Sequence, residues 1–148
     1  MQNDIITVGL SPRQLDLLAN VLEDMEEAMN ADIDAGFEPV LAATLDGQTW
    51  RGVDLVEELK VGVLGRIAED NDAPFTFVRG YWAWYDEAME VRWQTLKGVV
   101  NTPVGGIPDD FTSTMKVLAT REMDEITTLA STMLTAMGVT NDGPAWRD

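Results

Sequence analysis

Cysteine and histidine are both absent from this 148-residue chain. Their absence excludes disulfide frameworks, thiolate chemistry, cysteine or histidine zinc sites, Ser-His-Asp and Cys-His nucleophile systems, and the Glu-x-x-His pairs of di-iron bundles. Lysine is scarce: Lys60, Lys97 and Lys116 stand beside seven arginines. No apolar run approaches the roughly 18 residues of a membrane span. The first ten residues, MQNDIITVGL, lack the basic start and apolar stretch of a secretory signal. These absences lead us to expect a soluble protein, cytoplasmic or assembled into a particle, with no membrane partner.

Against ten basic residues stand 26 carboxylates, a net charge of −16. Such a surface repels nucleic-acid phosphates and anionic lipid, so direct nucleic-acid binding is not expected. An acidic, lysine-poor composition suits a protein working in strong salt, where counterions suppress self-repulsion. A binding face is the other cause of such acidity. Solvation alone does not require five tryptophans and seven internal methionines.

What is present organises around Ser11 to Gly36. Ser11 and Gln14 have the spacing of a capping box, Pro12 sits where a missing N–H costs nothing, and Leu10 and Leu15 can staple the helix start. Leu15, Leu18, Leu22, Met25 and Met29 then recur in steps of three and four, which places them on one seam, and Gly36 supplies a left-handed stop.

Before this helix, Ile5 to Val8 has the β-branched character of a short strand. After it, Asp46-Gly47 signals a hairpin flanked by Thr44, Leu45, Thr49 and Trp50. A short helix over 39–45 is the alternative; we favour the hairpin, paired with the N-terminal strand. Val53 to Glu69 reads as a helix with Val56, Leu59, Val63 and Ile67 inward and Glu57, Glu58 and Arg66 outside. Gly62 and Gly65 weaken it by about 1 kcal/mol each relative to alanine, so another backbone is expected to approach there.

A third helix is expected to start between Pro74 and Arg79 and to stop at Gly98. Val78, Trp82, Tyr85, Met89 and Leu96 form its stripe, widened by Phe75, Phe77, Tyr81, Trp84 and Trp93. Seven of the eleven aromatics lie between Phe75 and Trp93. Residues 99–108 read as a flexible loop or arm. Asp109 or Asp110 caps a last helix reaching about Met137, with Met115, Leu118, Ile126, Leu129, Met133 and Met137 inward and Gly138 as its stop. Trp146 in the tail is expected to be docked. The whole predicts a single mainly α domain over 1–148, about four helices in a bundle-like arrangement with a small β-hairpin near residues 40–51.

Carboxylates are the only plentiful catalytic groups, so the one enzyme class left is hydrolysis by an acid pair, for which Glu87 and Glu90 beside Trp84 and Trp93 are the candidates. Any acidic aromatic helix supplies such a pair, and no catalytic residue is assigned. Asp32-x-Asp34-x-Gly36 imitates a calcium loop, but its glycine is one position early and Ala43 stands where the bidentate glutamate belongs. Neither a metal nor a cofactor is expected.

Two binding readings remain. Glu23, Asp24, Glu26, Glu27, Glu57 and Glu58 could imitate nucleic-acid phosphates and occupy a basic groove, making the chain an inhibitor of a DNA-binding protein. Aromatic side chains are also concentrated at interface centres. Trp82, Trp84, Tyr85, Trp93 and Trp146 are therefore the candidate interaction residues, with Trp84 facing outward; filling the domain's own core is the competing role for these rings. The favoured reading is a non-enzymatic structural or assembly protein whose partners are other protein subunits, copies of itself included. In size and helix number the chain resembles small helical components of tailed-virus particles such as ring-forming head-tail connectors.

Overall fold

At Ser11 the local chemistry settles the first long helix. The Gln14 N–H donates to Ser11 Oγ at 3.1 Å and the Ser11 N–H donates to Gln14 Oε1 at 3.0 Å, so two otherwise orphaned donors are satisfied reciprocally. In the computed structural model, which describes residues 4–36, 42–45, 48–69, 73–101, 109–139 and 143–147, this helix, α1, spans Pro12–Asp34. It ends ahead of Gly36, whose φ of +90° is the left-handed conformation that glycine tolerates.

The remaining elements are β1 (Ile5–Val8), β2 (Ala42–Leu45), β3 (Gln48–Arg51), α2 (Gly52–Ala68), β4 (Phe75–Val78), a 3₁₀ turn (Arg79–Tyr81), α3 (Trp82–Asn101), α4 (Asp109–Ala136) and a closing 3₁₀ turn (Ala145–Arg147). The fold is mainly α, with four helices and short antiparallel strand pairs among the described residues. Its contacts divide it into two compact units, Met1–Ala88 and Met89–Asp148.

In the first unit the hairpin forms as the Asp46-Gly47 signal requires: β2 pairs with β3, Thr44 opposite Thr49 and Leu45 opposite Gln48, with the turn itself outside the described residues. The N-terminal strand does not join this hairpin. β1 pairs instead with β4, placing Ile6 opposite Phe77 and Val8 opposite Phe75. All four side chains are buried, while Thr7 and Thr76, one step away, point outward. Alternation of that kind fixes register, because a one-residue slip would turn the apolar set to solvent. The expectation that Phe75 to Val78 belongs to the third helix is thereby corrected: Phe-Thr-Phe-Val has period two, and the helix begins only at Trp82 after the 3₁₀ turn.

Helices α1 and α2 pack against one another. The seam Leu15, Leu18, Leu22, Met25 and Met29 is buried as its spacing predicts, and so is a second row, Leu17 and Val21, so α1 is covered over a wider arc than the seam alone. α2 contributes Leu55, Val56, Leu59 and Val63; Ile67, expected inward, is half-buried. Lys60 crosses to Glu26 at 2.9 Å. Its pKa is raised above the ordinary 10.5, first by that hydrogen bond, with burial opposing and the charges of Glu23 and Glu57 adding.

In the second unit the latter part of α3 provides Met89, Trp93 and Leu96, and α4 provides Ala119, Ile126, Leu129, Ala130, Met133 and Leu134. Two expectations change here. α3 does not stop at Gly98 but continues to Asn101, so residues 99–101 are helical and only 102–108 of the expected arm lie outside the described residues. Leu118, expected inward, is 55 % exposed, and Ala119 takes the buried position in that turn. α4 ends near Gly138, at φ +79°. No helix among the described residues is long and apolar enough to cross a membrane.

Candidate functional site

The aromatic residues divide between core and surface. Phe75, Phe77 and Tyr85 form one cluster, with Tyr85 edge-on to Phe77 at 5.5 Å and to Phe75 at 6.3 Å, and Trp82 leans on Phe77 at 6.5 Å. Burial pushes the Tyr85 hydroxyl far above the ordinary tyrosine pKa. In the second unit Trp93 and Trp146 meet at 5.6 Å, and Lys97 Nζ lies 5.2 Å from the Trp93 ring centroid. Thus Tyr85, Trp93 and Trp146 are buried within their own units. Trp82 and Trp84 are half-buried, so the ring expected to face outward is only partly accessible.

Apolar surface lies elsewhere, on the outside of α2. Val61 is 54 % and Leu64 46 % exposed, and Gly65 and Ala68 continue the same stripe at helical spacing. Among the described residues nothing lies within 4 Å of where a Cβ at Gly62 or Gly65 would sit. The close approach expected from this pair is therefore not made among the described residues, where α2 turns its opposite face, Val56, Leu59 and Val63, into the core. Both cations of α2 are also turned away from this surface. Lys60 reaches Glu26, while Arg66, 11 % exposed, donates from Nε to the Ala73 carbonyl at 2.8 Å and pairs with Glu69 at 3.5 Å. Arg66 lies outside the helix's buried stripe, and its guanidinium folds back onto the chain.

Beside the glycines is a cleft of about 510 Å³, walled by Trp50, Phe75, Tyr81 and Tyr85 and edged by Glu58 and Glu69. The second unit has a groove of about 830 Å³ between Trp93 and Val100 of α3 and a hydroxyl-rich face of α4 that includes Thr127, Thr128, Ser131 and Thr132. Thr127, Thr128 and Thr132 donate to the carbonyls of Met123, Asp124 and Thr128 at 2.9, 2.9 and 2.8 Å. With those three protons spent on the helix, Thr127, Thr128 and Thr132 offer the groove methyl groups and oxygen lone pairs.

Glu87 is exposed and Glu90 half-buried, and neither borders the two clefts. On α1, Glu23, Asp24 and Glu27 are exposed, as are Glu57 and Glu58 on α2, whereas Glu26 is committed to Lys60. Among the described residues no group of three or more acidic side chains is placed to hold a metal ion. The stripe on α2 was visible in the sequence as the apolar positions left over from the core pattern. The cleft was not, because its walls come from β3, α2, β4 and the turn before α3. No protein family, curated protein or solved structure matches the chain.

Proposed function

We propose that this chain is a non-enzymatic structural or assembly protein, packing as a subunit of a larger complex. The observation that carries the reading is the stripe Val61, Leu64, Gly65 and Ala68: apolar, outward and unfilled by the chain's own backbone. Exposed Val117 and Leu118 on α4 give the second unit an apolar patch of its own. Single exposed apolar residues are ordinary, but a helical stripe of them with glycine in its middle suits another protein's surface. A tailed-virus particle component, such as a head-tail connector, is the form of this reading that size and helix number favour.

Native mass spectrometry in low and high salt tests it. We expect a higher-order species, more populated where salt screens the −16 charge, and its loss in Leu64→Glu. A monomer at every salt and concentration, capturing no partner, would sink the proposal, as would a turnover number on any substrate.

The exposed acids of α1 and α2 favour one second reading, an acidic mimic of nucleic acid. Five of its six expected carboxylates are exposed, and the sixth, Glu26, is neutralised by Lys60. A mimic stays small in molar salt and captures a basic DNA-binding protein in low salt, which the same spectra separate from assembly.

A further inference from the structure

The cleft between α2 and β4 has a chemistry of its own, distinct from the outward stripe. At about 510 Å³ it lies within the usual range of ligand clefts, roughly 300–1,000 Å³. Trp50 and Tyr81 are half-buried along its wall, each with ring surface left to offer, and Phe75 and Tyr85 back them with buried rings. Gly62 and Gly65 leave a gap on its α2 side between Glu58, Leu59 and Arg66, with nothing among the described residues within 4 Å of where a Cβ would sit. Each glycine costs the helix about 1 kcal/mol relative to alanine, and nothing among the described residues packs against the missing Cβ positions.

The charges decide what such a cleft would take. Glu58 and Glu69, both exposed, lie at its edge, and Arg66 is the one basic residue lining it among the described residues. That guanidinium donates to the Ala73 carbonyl and pairs with Glu69 at 3.5 Å, so the charges of Arg66 and Glu69 offset one another and Glu58 leaves the lining net negative. An anion would meet carboxylates inside a chain already at −16. A cation with an apolar body would meet ring faces, carboxylates and an open floor, the combination that recognises alkylated ammonium groups.

We propose that this cleft binds an organic cation, an ammonium or guanidinium group carried on an apolar stem. The same chemistry comes from two sources, a free small cation or the lysine or arginine side chain of another protein. The cleft shares Gly65 with the Val61–Leu64–Gly65–Ala68 stripe, but Glu58, Gly62 and the ring walls lie outside that stripe, so variants at Gly62 and Glu58 test the cleft while Leu64→Glu tests assembly.

Calorimetric titration of the full chain in low salt tests it, using choline, its uncharged carbon analogue 3,3-dimethylbutan-1-ol, and Nα-acetyl-lysine N-methylamide. We expect choline to bind at least about tenfold more tightly than the uncharged analogue. Gly62→Leu should abolish binding by filling the cleft without lowering the melting temperature, because leucine is the better helix former. Glu58→Gln should weaken it about threefold through the lost charge. Binding of the lysine derivative but not choline would assign the site to a partner's side chain, still within the proposal. Equal affinity for the uncharged analogue, binding unchanged in Gly62→Leu, or no cation bound at millimolar concentration would each overturn it. So would saturation by a neutral disaccharide in place of the cations.

Discussion

Two helix faces, one in each unit, are left open by opposite means. On α2 the face is bare: Gly62 and Gly65 remove side chains, and valine, leucine and alanine surround them. On α4 the face is covered, but by threonines whose hydroxyl protons are returned to their own helix. Gly62 and Gly65 carry no side-chain donor, and Thr127, Thr128 and Thr132 return theirs to the helix, so at these positions either face can lose water without leaving a donor unpaired. The difference is one of shape. Bare backbone makes room for something inserted, while a ridge of methyl groups suits something laid alongside.

The comparison requires that both faces be open in the isolated chain, and truncation tests this most strongly. Leu55 on α2 and Leu129 on α4 are fully buried, so Leu55→Ala and Leu129→Ala should each cost about 2–5 kcal/mol by chemical denaturation. Leu64→Ala, at 46 % exposure, should stay within about 0.5 kcal/mol. A loss at Leu64 matching that at Leu55 in a proven monomer would mean that the α2 face is already covered.

A smaller effect concerns why α2 shows no cation on that face. Lys60 is held at Glu26, whose second oxygen, Oε2, is buried without a hydrogen-bond partner among the described residues. Lys60→Met should therefore cost about 1 kcal/mol near pH 8, since the pair is mostly buried but incompletely satisfied. Because the folded pKa of Lys60 is raised, its contribution is complete below 10.5 and is lost as pH rises through the folded value. Tyr85 acts in the same direction: the unfolded phenol ionises near 10.0 while the buried one holds its proton, so alkali favours unfolding. Melting temperature should fall above about pH 10, less steeply in Lys60→Met and in Tyr85→Phe. An alkaline limb unchanged in both variants would remove these groups as its cause.

Local signals were legible where their partners were local. Ser11 and Gln14 are three residues apart, and Asp46-Gly47 joins adjacent strands, so the α1 cap and the hairpin could be read directly. β4 was read as helix because its partner, β1, lies some seventy residues earlier; only that pairing makes the alternation of Phe75 to Val78 decisive. Gly98 was read as a stop because glycine lowers propensity, yet about 1 kcal/mol does not end a helix held by packed neighbours such as Trp93 and Leu96. For the candidate surfaces the division is the same. Val61, Leu64 and Ala68 share a helix face and could be found by period, whereas Trp50 and Tyr81 meet the glycines only through the fold.

The smallest predicted effect separates the two means of opening a face. Gly62→Ala should stabilise the chain by up to about 1 kcal/mol, because it restores propensity at an exposed helical position with open space for the methyl. Thr128→Ala on α4 gains propensity too but gives up the hydroxyl bond to the Asp124 carbonyl, so its net change should be a few tenths of a kcal/mol, about 0.3 in either direction. Differential scanning calorimetry of the two variants resolves the contrast. Equal shifts would mean that the threonine hydroxyls contribute as little as the missing glycine side chains, and that the two faces differ in composition but not in how they are held.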